Sequence, residues 1–243
     1  MSCKIEAAGW TRVVDIENLE NIHHSPQGPR HVPVPHHLAI KSFRDQLNEH
    51  NITVLKEDIV ISPDTFRLMY LADIAAENDK DYVYQVGFIN NNDRSKAFTG
   101  LAGTKVLINN AQMHYSDGSF KTRHTTNVRE MLYERNAHII SWFNEFYQQH
   151  SGRIDAMKNT EVTDEILGAV VLSYIRNRYT LSSTNIKNIV KEYDKPKYEE
   201  FKPRTLWSLQ NTTCEIFKKL KSPLLRLEVM EIFSETVDKF IKK

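Results

Sequence analysis

Residues Val86–Asn127 read VGFINNNDRSKAFTGLAGTKVLINNAQMHYSDGSFKTRHTTN, and the fold is parsed outward from them. The run begins inside a strand whose residues alternate. Tyr82, Tyr84, Val86 and Phe88 are expected on the face that meets a core, with Val83, Gln85 and Gly87 opposite. The polar run Asn90–Lys96 ends that strand, because asparagine and aspartate cap their own turns and tolerate left-handed backbone. Residues Ala97–Asn109 form a further strand region, where Gly100 and Gly103 allow a bulge or the close packing of another backbone. Ser116-Asp117-Gly118-Ser119 is a turn signal, and SFKTRHT returns from it as a hairpin arm. Thr125, Thr126 and Asn127 then offer capping oxygens, with Glu130 at the capping-box spacing from Asn127. The helix they start is expected over Val128–Gln149, with Val128, Met131, Leu132, Ile139, Trp142, Phe143 and Phe146 as its core stripe.

Upstream, Leu38, Ile40, Phe43 and Leu47 recur at partly helical spacing and predict an amphipathic helix from His36 to about Asn51. The runs ITVLKEDIVIS, FRLMYLADIAA and YVYQVGFIN follow, rich in β-branched and aromatic residues and separated by turn-forming clusters, and read as an antiparallel meander. Residues 1–35 are an extended N-terminal segment, since the prolines of SPQGPRHVPVP disfavour helix. His23, His24, His31, His36 and His37 crowd its end. A metal centre wants such ligands on a rigid frame, whereas these sit among prolines without cysteine, so an exposed loop is expected and no metal is assigned.

Downstream the chain is helical. Thr163 or Asp164 caps a helix to about Tyr179, Ser182–Tyr193 forms a second, Pro196–Pro203 is a break, and Arg204–Lys221 and Pro223–Lys242 complete the set. The reading is therefore α+β: an antiparallel sheet with a flanking helix over 36–150, and a helical region over 151–243 packed on it as one domain.

Composition restricts the partners more than it names them. Hydrophobic residues make up 40% and charged residues 26%, the profile of a folded globular chain. Cys3 and Cys214 have no metal or redox spacing and read as free thiols of a reducing compartment. A signal-peptide run and a membrane-length apolar stretch are both missing, so a cytoplasmic setting without a membrane partner is expected. Lysine and arginine total 32 against 31 acids, but the balance is local. Phe43–Asp93 holds 4 basic and 10 acidic residues; Arg94–Arg135 holds 7 and 3. The sign inverts at the asparagine loop, and a basic patch of this kind attracts phosphate.

The binding candidates follow from that inversion. Arg94 and Lys96 stand at a polar rim suited to an anionic ligand, beside the plainer reading of a structural loop. Lys121, Arg123, His124 and Arg129 run toward a helix N-terminus, whose free N–H groups suit phosphate, with Tyr115 and Phe120 as stacking faces. His114, Asp117 and His124 around the turn form the nearest approach to a catalytic or metal cluster; ordinary hairpin residues are the expected reading. Arg176, Arg178, Lys187, Lys191, Lys195 and Lys197, with Tyr179 and Tyr193, form a second basic group, a solvated face unless the fold sets it beside the first. Phosphate-binding glycine loops, nucleophile elbows and zinc motifs are missing, so no catalytic residue and no cofactor is assigned.

Several blocks carry a family resemblance: HVPVPHHLAIKSFRDQLNEHNITVLKEDIVIS, FRLMYLADI, DYVYQVGFINNNDRSKAFTGLAGTKVLINNAQMHYSDG and TRHTTN, with a looser echo in LWSLQNTTCEIF. In order and spacing they resemble the phage and plasmid family known as domain of unknown function nine-three-two. The chain departs from it where Asn90-Asn91-Asn92-Asp93 replaces a histidine-containing run, and where Asn109-Asn110 stands in place of a cysteine before asparagine. A metal or thiol mechanism is not expected at those positions. The resemblance implies a mobile-element setting. Together with the basic segment it leads to a non-enzymatic protein contacting nucleic acid, single-stranded in replication or recombination, with homo-oligomers compatible. The alternative is a protein-interaction module acting on a host protein, for which the acidic first half would serve as docking face.

Overall fold

The structure is a computed structural model that describes residues 10–13, 15–75, 82–107, 111–115, 121–125, 127–128, 130–177, 182–220 and 223–241. The side chains of 111–115, 151, 223–224 and 227 are outside that description. Strands β1 (Thr11–Arg12), β2 (Val54–Ile61), β3 (Arg67–Ile74), β4 (Tyr82–Asn91), β5 (Phe98–Val106), β6 (Ala111–Tyr115) and β7 (Lys121–Thr122) form an antiparallel sheet in the N-terminal half. Its order is β1-β2-β3-β4-β5-β6, with β7 also on β5. The helices are α1 (His36–Glu49), α2 (Leu132–Asn159), α3 (Asp164–Arg176), α4 (Ser183–Asp194), α5 (Leu206–Phe217) and α6 (Pro223–Val237), so the chain is α+β as its sequence predicts. It divides into two compact units: residues 1–105 with 114–146, and residues 106–113 with 147–243.

In the first unit the three apolar runs pair as the expected meander, with Tyr70 opposite Ile59 and Phe88 opposite Tyr70. One face of the sheet carries an aromatic row. Phe43 of α1 meets the rings of Tyr70 and Phe88 at 5.4 and 5.3 Å, and Phe88 stacks on Phe98 at 5.0 Å. Arg44 of α1 donates to Glu57, which also accepts from the Tyr70 hydroxyl, so the polar ends of this layer are satisfied. Gly100 on β5 makes room for α2: a Cβ there would stand 2.6 Å from Ile139 Cγ1. That is the close approach expected of the glycine, made to a side chain rather than a backbone.

The opposite face departs from expectation. Every residue of β4 is buried, Gln85 and Ile89 included. Polar residues enter this face because they neutralise one another: Lys105 Nζ donates to Asp73 at 2.7 Å, Gln85 donates to the other oxygen of Asp73, and Arg12 and Lys56 each reach Asp58 at 2.9 Å. Buried charges persist only where such partners exist. Leu38, expected in the α1 stripe, is 42% exposed, and Ala39 takes the buried position beside Ile40.

The long helix also differs from its expected bounds. It starts at Leu132 and continues through Ser151-Gly152 to Asn159, where an end at Gln149 was expected. Glycine costs about 1 kcal/mol in a helix interior. Buried Ile154 and Met157 continue the apolar stripe past it. In the second unit Thr163, Ser182 and Thr205 cap α3, α4 and α5 through their side-chain oxygens. Eleven residues of α5 are buried, and Tyr174 of α3 meets Phe217 of α5 edge-on at 5.6 Å.

The SDGS turn, residues 116–119, lies outside the described residues, and the arm expected to return from it is β7. Among the described residues β7 pairs with β5, Phe98 opposite Thr122 and Thr99 opposite Lys121. The returning arm thus adds to the neighbouring strand's ladder.

Candidate functional site

The segment before α1 is held on the sheet by two asparagines. Asn92 Oδ1 accepts from the Val34 N–H at 2.9 Å, and its Nδ2 donates to the Val34 carbonyl at 2.9 Å. Asn90 Nδ2 donates to the same carbonyl at 2.8 Å and lies 2.9 Å from His36 Nδ1. His36 Nε2 is 2.8 Å from the Thr65 carbonyl, which can only accept, so Nε2 carries the proton and Nδ1 is the acceptor. Burial lowers the His36 pKa to about 4, against the raising effect of the Thr65 carbonyl. The histidine-rich lead-in is therefore only in part the exposed loop expected: His23 is exposed, whereas His31 and His36 are buried. The asparagine amides replace the hydrogen bonds these groups would make to water.

Beyond this clamp the turn from β4 to β5 is built by its own polar residues. Asp93 Oδ1 accepts from the Ser95 N–H at 2.9 Å, and Arg94 takes a left-handed conformation with φ 64°. Arg94 Nη1 donates to the Gln27 carbonyl at 2.8 Å. Gly28 leaves space for it: a Cβ there would stand 2.8 Å from Nη1. On the other side, the Val32 N–H donates to the His124 carbonyl at 3.2 Å, tying the lead-in to the segment after β7.

These ties bring three separate segments around one depression of about 530 Å³. Its lining includes Arg30 and His31 from the lead-in, Arg94, Ser95 and Lys96 from the turn, and Arg123, His124 and Thr125 after β7. Four of these residues are arginine or lysine, and none is Asp or Glu. Asp93, the nearest acid in sequence, is engaged by Ser95 and lies 3.5 Å from Arg67 Nε. The summed field therefore favours an anion, and guanidinium forks match phosphate or carboxylate oxygens. His31 and His124 stack with ring centres 5.6 Å apart and planes 6° from parallel. Burial lowers both pKa values, His124 to about 4, with the neighbouring imidazole or arginine adding to the shift and Asp93 opposing it.

Of the residues expected from sequence, Arg94, Lys96, Arg123 and His124 come together here. Lys121 does not line the depression; it is an exposed residue of β7. Arg129, Asp117 and Phe120 lie outside the described residues, as do the side chains of His114 and Tyr115. Among the described residues no group of three histidine, cysteine or acidic side chains is placed to hold a metal. In the second basic group, Lys187 and Lys191 are exposed on α4, and Lys197 lies over the Tyr198 ring at 5.1 Å. Arg178 and Tyr179 are outside the described residues.

Arg30, His31 and Gly28 were not singled out as site residues from sequence. Their local signal, PQGPR, is that of a proline-glycine turn, and only its tie to residues some sixty positions later makes it part of a site. No helix among the described residues is long and apolar enough to cross a membrane. No protein-family model, curated protein or solved structure matches the chain.

Proposed function

We propose that the first unit binds the phosphate backbone of a nucleic acid, as a non-enzymatic contact, and that the strand it takes is single. The observation that carries this is the convergence of Arg30, Arg94, Lys96 and Arg123 on one depression to which no carboxylate among the described residues contributes. A concavity of about 530 Å³ accepts a flexible strand whose phosphates turn inward, whereas the broad convex surface of a duplex meets only its rim. The mobile-element setting, with a role in replication or recombination, rests on the family resemblance and belongs to the same proposal. Phosphate contact also predicts the salt response: log affinity falls with log salt by about 0.7 for each phosphate neutralised on a single strand.

Fluorescence anisotropy with labelled single-stranded and duplex oligonucleotides, across a salt series, tests the reading. Salt-sensitive binding that prefers single strands is expected. Replacing Arg30, Arg94 and Arg123 together by Ala should weaken it by more than about tenfold and flatten the salt slope. Unchanged affinity in that variant, or no binding at low salt, overturns the proposal. Capture of a host protein that nuclease does not release, with no oligonucleotide bound, would put a protein-interaction module in its place.

A further inference from the structure

The buried part of the depression consists of two imidazoles with incomplete hydrogen bonding. His31 and His124 are each 7% exposed. The Gln27 N–H donates to His31 Nδ1 at 3.0 Å, so a neutral His31 carries its proton on Nε2. That Nε2, and both ring nitrogens of His124, have no hydrogen-bond partner among the described residues. Buried donors are ordinarily paired, because a desolvated N–H otherwise gains nothing for the water it lost. His36 shows the contrast, with a partner at each nitrogen.

Among the described residues, the charged and titratable groups facing the pair are Arg30, Arg94, Lys96 and Arg123 around the depression, Asp93 in the turn, and His36 on α1. All except Asp93 are cations or imidazoles. A proton added to either ring of the free protein therefore adds charge to a site already positive. An anion seated among the same groups reverses that balance.

Building on the phosphate reading above, we infer that His31 and His124 are the inner ligands of a single phosphate group, which binds together with a proton taken up by the imidazole pair. The Nε2–H of His31 is preset as a donor to a phosphate oxygen by its bond from Gln27. His124 in its neutral form has one donor and one lone pair, and protonation turns the lone pair into a second donor. The rim arginines neutralise the remaining charge. Because burial keeps the free pair neutral near pH 7, it has protons to gain, and the bound anion raises the values at which it gains them. Affinity then rises as pH falls through the bound-state values and is flat above them. A terminal phosphomonoester and an internal phosphodiester both offer non-bridging oxygens that accept such hydrogen bonds.

The test uses one short labelled single strand with a 5′-hydroxyl or a 5′-phosphate, titrated with the full chain at fixed salt between about pH 5 and pH 8. Internal diesters do not titrate there, so the slope for the hydroxyl strand belongs to the protein. Affinity is expected to rise by up to about tenfold per pH unit for each proton taken up. In the variant with His31→Gln and His124→Gln the slope is expected to vanish while salt sensitivity remains. Preference for the 5′-phosphate assigns the seat to a terminal monoester, and equal affinity assigns it to a diester. A pH-independent affinity of the wild-type chain overturns the inference, as does an unchanged slope in the double variant. Should that variant misfold, calorimetry of the wild-type chain in buffers of different ionisation enthalpy counts the protons directly, and zero uptake is decisive. Salt-sensitive binding without proton uptake removes this inference alone; no salt-sensitive binding at any pH removes the nucleic-acid reading.

Discussion

Two neighbouring regions share the histidine-rich lead-in and the asparagine turn, the second adding the segment after β7, yet they differ in polar balance. In the clamp, Asn92 uses both ends of its amide on Val34, and His36 has a partner at each ring nitrogen. In the depression a few residues along, His31 Nε2 and both His124 nitrogens lack partners among the described residues, where four cations and no acid form the lining. Residue type does not separate the two regions, since histidines stand in both. What separates the histidines is whether each ring nitrogen already has a partner among the described residues. Spent groups hold the fold, and unspent buried groups are available to a ligand.

The sharpest way to break this contrast is Asn92→Ala. Asn92 and Val34 are fully buried, and the substitution removes the Asn92 acceptor of the Val34 N–H and leaves the Val34 carbonyl with the Asn90 amide. Stability should fall by about 3 kcal/mol, read from the denaturant midpoint. A loss below about 1 kcal/mol would mean that other contacts hold the lead-in and that the clamp is incidental.

Next in size is the response to acid. The folded-state pKa of His36 is lowered to about 4, against 6.5 for an unperturbed histidine. Between these values the unfolded chain binds the proton and the folded chain does not, so stability falls as pH drops from 6.5 toward 4 and is unaffected by this group above 7. One such buried group contributes up to about 3 kcal/mol by the low end of the window. His36→Gln should flatten that part of the stability–pH curve. An unchanged curve would show that the ring is not kept neutral by its site.

The smallest effect tests the boundary of the depression. Arg123→Ala should weaken oligonucleotide binding about fivefold, whereas Lys121→Ala should change it by less than about twofold. Equal losses would extend the phosphate-binding surface along β7 and would restore Lys121 to the place its sequence neighbourhood suggested.

The sequence by itself determined the elements. Period-two alternation with β-branched and aromatic residues located β2 to β5. A capping oxygen at Thr163 located α3, and the structure adds hydroxyl caps at Ser182 and Thr205. The inversion of charge at Arg94 pointed to one side of the depression. These are short-range signals, set by backbone preference and by the few residues on either side. Tertiary structure alone decided what depends on pairing across distance. It buried the second face of β4, because Asp73 and Lys105 come within 2.7 Å only in the sheet. It set β7 on β5, a pairing between Phe98–Thr99 and Lys121–Thr122. It joined Arg30 and His31 to Arg123 and His124, because the partners that fix the lead-in, Asn90 and Asn92, lie more than fifty residues away. A hydrogen bond spanning that separation leaves no periodicity to read. Its donor and acceptor are ordinary asparagine and backbone groups until folding brings them together.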